Sequence, residues 1–333
     1  MYKQLEFLAV GCWWIYEGSE VPTENAPPGR PDSASNISLR KIPSSREDVV
    51  NDNSIDLRSK RSVMRFLQLA ADPEQCDATV QDCGSILFKD FLSSRFKISD
   101  ILQAPFHALT LSPNHPSETT VAFALPAIHR HLTSIGLFGP GFGSVVPKWG
   151  GLAEIAQIGC RACAVGGGVY VLDKTVENDT AVAKTDAGEN PKAELALRLS
   201  GGESITAHHL LDGSKYDEVS EKDENVQYSI MARSIGIISS QLDHLFPPSI
   251  DGGAPAAVAV VVFPSGSLGI AEDPPSLDTP PVHLMVHSSD TGECPAGQST
   301  CDLSLVYFYD DHDTQSYLHC LSSKSGARSI LPI

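Results

Sequence analysis

Residues 151–170 read GLAEIAQIGCRACAVGGGVY. At about 100° per residue, Leu152, Ile155, Ala156, Gly159, Cys160 and Cys163 fall on one stripe of an α-helix, and the spacing predicts that this stripe is buried. Its small members would let a neighbour pack closely. Glu154 and Arg161 lie two turns apart, opposite the stripe, with Gln157 and Ile158 between them. That outer ridge offers a carboxylate, an amide, an aliphatic and a guanidinium in a row. Pattern alone reads it as a solvated face. Gly166, Gly167 and Gly168 end the helix, and Val169 to Leu172 reads as a strand. Upstream, Gly136 to Gly151 carries six glycines and two prolines and reads as loop.

Outward from this segment the pattern changes twice. On the N-terminal side, Val63, Phe66, Leu67 and Ala70 keep helical spacing from Ser59 until Pro73 ends the run. A second helical region runs from Ile86 to Leu137, with Phe88, Phe91 and Leu92 on one side of a helix and Ile101, Leu102, Phe106 and Leu109 further on. Residues 59–137 therefore read as an all-helical subdomain. On the C-terminal side come strands: Ala193 to Leu199 and Ile205 to Leu211 as a hairpin across Gly201-Gly202, then 225–238, the apolar run 256–263, 282–287 and 303–309. Met1 to Tyr16 reads as a strand and not as a signal peptide, since Glu6 interrupts it and no small-residue cleavage site follows. Residues 19–36, and likewise 177–192, are expected to lack fixed structure.

The 333 residues carry 24 Lys+Arg against 41 Asp+Glu, a formal charge of −17. Such a field repels phosphate backbones and anionic lipid surfaces, so nucleic acid is excluded as a partner and membrane contact is expected to be transient. The longest purely apolar run has eight residues, too short to cross a bilayer as a helix. Eight cysteines at low density, without an export signal, read as reduced thiols, which places the chain in the cytoplasm.

No window fits a dinucleotide or P-loop pattern, a G-x-S-x-G elbow or H-E-x-x-H, so neither nucleotide binding nor hydrolysis has a motif behind it. Cys160 and Cys163 form a C-x-x-C, but a zinc site needs a second ligand pair, and both lie on the apolar stripe; they read as buried structural thiols. His208 and His209, in a strand pattern, would point to opposite faces, one buried and one exposed. The Asp310-Asp311-His312-Asp313 tetrad reads as a solvated turn. No metal or cofactor is expected.

The strings Gly151-Leu152-Ala153-Glu154-Ile155-Ala156-Gln157 and Cys160-Arg161-Ala162-Cys163-Ala164-Val165-Gly166-Gly167-Gly168-Val169-Tyr170 resemble a segment shared by Rab GDP-dissociation inhibitors and Rab escort proteins. The paired cysteines around Arg161 favour the escort branch. Tyr2 to Phe7, Ile42 to Val49, Arg58 to Leu67 and Phe106 to Leu109 are similar to further family segments. The resemblance covers about residues 1–172 and continues more weakly to about 240, whereas the part after Tyr309 does not share it. Ala153 and Ala156 stand where the family has Gly and Pro.

The resemblance implies an α+β or α/β, GDI-like (FAD-binding-like) mixed sheet domain with an inserted helical subdomain, truncated before the family's first strand and dinucleotide-like turn. Its parts would be 1–58, sheet with the insertion 19–36; 59–137, helical; and 138–333, sheet with a Rab-binding platform helix at 151–165. It further implies a non-catalytic accessory component of Rab geranylgeranyltransferase. Such a protein binds GDP-bound Rab, presents it to the catalytic subunits, and carries the geranylgeranyl product to membranes in vesicle transport. Glu154, Arg161 and Val171 match the Rab-binding positions; Leu102 and Phe106 match the helix contacting the transferase or the isoprenoid, where Pro105 departs from the pattern. A GDP-dissociation inhibitor, a flavin-linked oxidoreductase and a non-functional fragment stand as alternatives.

Overall fold

A computed structural model describes residues 5–19, 37–43, 49–50, 52–53, 55–177, 181–183, 194–211, 229–248, 253–267 and 280–308. The segment 19–36 lies outside these apart from Ser19, as does 177–192 apart from Glu177 and 181–183, and as does the Asp310–Asp313 tetrad. The chain divides into two compact units, Met1–Ala156 with Tyr228–Ile333, and Gln157–Gln227.

The first unit is built on a mixed sheet. Strand β1 (Phe7–Ser19) pairs antiparallel with β2 (Ile37–Lys41) along its second half and with β3 (Ser144–Pro147) along its first four residues. On its other edge β1 runs parallel to β8 (Val258–Phe263), which continues antiparallel to β9 (Val282–Ser288), β10 (Ser299–Phe308) and β7 (Ser229–Ile238). Every residue of β8, VAVVVF, is buried. Because side chains alternate along a strand, Val258, Val260 and Val262 face the helical layer, and Ala259, Val261 and Phe263 face a second cluster with Leu245, Phe246, Leu284 and Val286. A sheet covered on both faces accounts for the continuous apolar run. Strand β3 corrects the reading of 136–151 as loop throughout: four residues between the glycines find free edge partners on β1.

The helical layer comprises α1 (Leu57–Ala71), α2 (Pro73–Cys83), α3 (Phe88–Phe91) running into a π turn at Leu92–Phe96, α4 (Asp100–Thr110) and α5 (Val121–Ser134). Asp56 caps α1 by accepting from the N–H groups of Arg58 (2.8 Å) and Ser59 (3.0 Å). Phe66 is the centre of the layer. It is fully buried, and its ring lies 4.9, 5.4 and 6.0 Å from those of Phe106, Phe96 and Phe88. Pro105 does not break α4 but is buried within it. Helix α2 was not legible: Pro73, read as an end, is also its first residue, with Asp72 as N-cap accepting from Gln75.

The second unit holds a three-stranded antiparallel sheet, β4 (Ala181–Ala183), β5 (Glu194–Arg198) and β6 (Ser204–Ala207). The expected hairpin is present, turning through Gly202 at φ +85°. Strand β6 ends at Ala207, so His208 and His209 lie beyond it and both are exposed, contrary to the alternating pattern. Val169–Leu172 is likewise no strand; it has no ladder partners, Leu172 already belongs to a turn, and all four residues are exposed.

Candidate functional site

Helix α6 (Leu152–Val165) carries the expected ridge and corrects the expected burial. None of its residues is buried. Leu152 is 77% exposed and Ile155 46%, and Gly159, Cys160 and Cys163 are exposed as well. A stripe is buried only where another element covers it, and apolar spacing records a preference, not a neighbour. Glu154 and Ile158, on the ridge expected to be solvated, are the half-buried positions of the helix.

The helix straddles the division between the units, with Leu152–Ala156 in the first and Gln157–Val165 in the second. Glu154 sits in the first turn, where a carboxylate complements the helix dipole. Its side chain folds over Gly150, so that a Cβ there would stand 3.1 Å from Oε1. Arg161, two turns along the same helix, is exposed. Val171 is 58% exposed and follows the glycine turn in the second unit.

The entry to α6 is held from the first unit. Trp149 adopts φ +79°, unusual for a bulky residue, and its N–H donates to the Thr291 carbonyl at 2.8 Å. A Cβ on Gly292 (φ +80°) would run into the indole, so glycine is required beneath it. The Lys148 ammonium lies 5.1 Å from the ring centroid and 3.1 Å from Glu6.

Leu102 and Phe106, both on α4, line one cavity of about 460 Å³ within the first unit. Its other walls include Val63 and Leu67 of α1, Leu132 of α5, and Ile42 and Pro43 after β2. This volume lies in the range of roughly 300–1,000 Å³ common for small-molecule clefts. The lining is mostly apolar, which suits a hydrocarbon chain; Arg40, which is paired with Glu17, and Gln68 are its polar members. The wall from α1 carries no functional signal in the sequence: Val63 and Leu67 keep ordinary core spacing, and nothing in that spacing separates a cavity wall from a packed core.

A smaller cavity of about 280 Å³ lies where α4 meets the ends of β8 and β9. His107 and His283 line it, and burial pushes both imidazoles down to about 4; His115 and Lys89 add to the effect at His107. Among the described residues no cluster of three or more His, Cys, Asp or Glu could hold a metal ion, and no helix is long and apolar enough to cross a membrane.

No protein-family model matches the chain. Among curated proteins it is 28% identical over 262 residues to Rab proteins geranylgeranyltransferase component A 2 of Mus musculus, covering 76% of this chain and 40% of that protein. Component A of Saccharomyces cerevisiae is 25% identical over 236 residues (70% and 36%), and that of Candida albicans 24% over 308 residues (92% and 42%). The chain thus spans about two fifths of the length of these relatives. Among solved structures, Rab GDI from Plasmodium falciparum superposes with a TM-score of 0.56 over 94% of this chain and 63% of its own, at 16% identity. The mixed sheet with its helical layer agrees with the GDI-like fold expected from the sequence. The chain is accordingly a relative of the Rab geranylgeranyltransferase component A proteins, built on the fold of Rab GDI.

Proposed function

We propose that this chain works as an escort-type accessory protein: it binds GDP-bound Rab, presents it to a geranylgeranyltransferase and carries the prenylated product to membranes, performing no covalent chemistry itself. The observation that carries this reading is the similarity to component A in mammal and yeasts, extending over 70–92% of the chain. The ridge of α6 supplies polar complementarity through Glu154 and Arg161, and Val171 an exposed apolar contact. The cavity between α1, α4 and α5 suits the isoprenoid: each methylene moved from water into such a lining contributes about 0.8 kcal/mol.

The test is Rab·GDP affinity by calorimetry. Glu154→Arg and Arg161→Glu are each expected to weaken binding by about 1–3 kcal/mol, the scale of interfacial hot spots. Unchanged affinity in both would reduce the ridge to a solvated face. For the cavity, Leu102→Asp places a charge against apolar walls. It is expected to lower affinity for geranylgeranylated Rab while leaving unprenylated Rab unaffected; equal losses for both would remove the cavity from lipid binding.

A further inference from the structure

The glycines after α6 fold the chain back on the last turns of the helix. Gly166 donates to the Ala162 carbonyl at 2.9 Å, Gly167, at φ +93°, to Ala164 at 3.1 Å, and Gly168 to Cys163 at 2.9 Å. A Cβ on Gly168 would collide with the Cys163 sulfur, so the backbone lies directly against that thiol. The reversal brings Tyr170 onto the helix. Its hydroxyl donates to the Cys160 carbonyl at 3.1 Å. Cys160 and Cys163 stand three residues apart on the last turns of the helix, where side chains at i and i+3 are surface neighbours. They are also the two exposed cysteines among the described residues; Cys12, Cys76, Cys294 and Cys301 are buried and Cys83 is half-buried.

We propose that Cys160 and Cys163 are a vicinal dithiol that closes reversibly into an intrahelical disulfide by exchange with a small-molecule disulfide such as oxidised glutathione. One cysteine thiolate attacks a glutathione sulfur, expels one glutathione thiolate and leaves a mixed disulfide. The second cysteine attacks the protein-side sulfur of that bond and expels the other glutathione. The protein gives up two protons and two electrons, and one disulfide becomes two thiols.

Helix geometry permits the closure at this place. Side chains three residues apart have Cβ atoms about 5–6 Å apart, whereas a disulfide needs roughly 3.5–4.5 Å. The last turn must therefore tighten, and Ala164 and Val165 are all that separates the pair from the glycine turn. Helix ends readily pass into 3₁₀ geometry, in which residues i and i+3 eclipse. Arg161 lies between the two cysteines, so closure re-aims its guanidinium; that consequence rests on the function proposed above, while the exchange itself does not.

The experiment equilibrates the full chain in glutathione buffers of graded oxidised fraction, quenches with acid, alkylates the free thiols and weighs the peptide containing residues 160–163. The expected result is joint loss of both alkylation sites in a peptide about 2 Da lighter than the dithiol, reversed by dithiothreitol. Cys160→Ser and Cys163→Ser should each retain a glutathione adduct on the remaining cysteine. Stable adducts on the unaltered peptide, or disulfides between two chains, would overturn the proposal. As a second readout, phenylarsine oxide, which bridges paired thiols, should bind either single variant about 100-fold more weakly than the unaltered chain; equal binding would also overturn it. Both readouts are made without Rab, so a failure of the escort reading leaves them intact. Equal Rab·GDP affinity of the reduced and oxidised forms would overturn only the re-aiming of Arg161.

Discussion

Phe66 illustrates how much one position can hold in this chain. Its ring is fully buried and meets three other phenylalanines, so Phe66→Ala removes a large apolar volume from a site where the helices cannot easily collapse. The expected cost is about 3–5 kcal/mol by urea denaturation; a loss below about 1 kcal/mol would mean that the rings do not form a packed cluster. Such residues were legible in the sequence. Val63, Phe66 and Ala70 kept helical spacing, and the structure buries all three. Cys160 and Cys163 kept spacing just as regular, yet both are exposed, because periodicity identifies a face and is silent about what lies opposite it. The Tyr170 contact had no sequence signal at all. It depends on the glycine turn reversing the chain, and glycine permits that reversal without specifying it.

Single elements here are set by what meets their ends. Asp72 closes α1 and opens α2, and its hydrogen bonds from Gln75 hold the carboxyl below its ordinary pKa. That stabilisation is present above the unfolded-state pKa and fades as pH falls through the folded one. Helix α2 escaped the sequence reading because only Cys76 and Thr79 are buried on it, too few to mark a stripe. Strand β3 escaped because glycines on both sides, with Pro140 before it and Pro147 as its own last residue, mask four residues that a free strand edge can recruit. For α6 the decisive end is the N-terminal one, where the Trp149 indole rests on Gly292. Gly292→Val should displace the indole and loosen the turn that aims Glu154. The expected outcome is a fall in tryptophan fluorescence anisotropy, to which Trp13 and Trp14 contribute equally in both chains, and, on the escort function proposed above, weaker Rab·GDP binding, with far-UV dichroism preserved. Unchanged anisotropy would mean that the stack does not fix the helix start.

At the scale of the molecule, charge and connectivity matter most. Both His107 and His283 have folded-state values near 4 against an ordinary 6.5, so the folded chain binds fewer protons than the unfolded chain between those values. Stability is therefore complete above about pH 6.5 and declines as pH falls towards 4, by roughly 2 kcal/mol for each imidazole between pH 7.5 and 5. Urea midpoints at the two pH values measure this. His107→Gln and His283→Gln should each flatten the dependence, and an unaltered slope in both would show that these imidazoles are not buried neutral.

The parallel pairing of β1 with β8 joins Val10 to Val258, residues separated by about 250 positions. A ribosome adding about 5–20 residues per second leaves β1 without this neighbour for roughly 12–50 s. The helical layer, 57–134, emerges long before β8 and can gather around Phe66 meanwhile. Through that interval Cys12, Trp13 and Ile15, destined for the interior, remain open to other strands. Birth of this protein is thus a race between its own late strand and any competing one, and a holdase that shields the β1 edge would raise the yield of native chain.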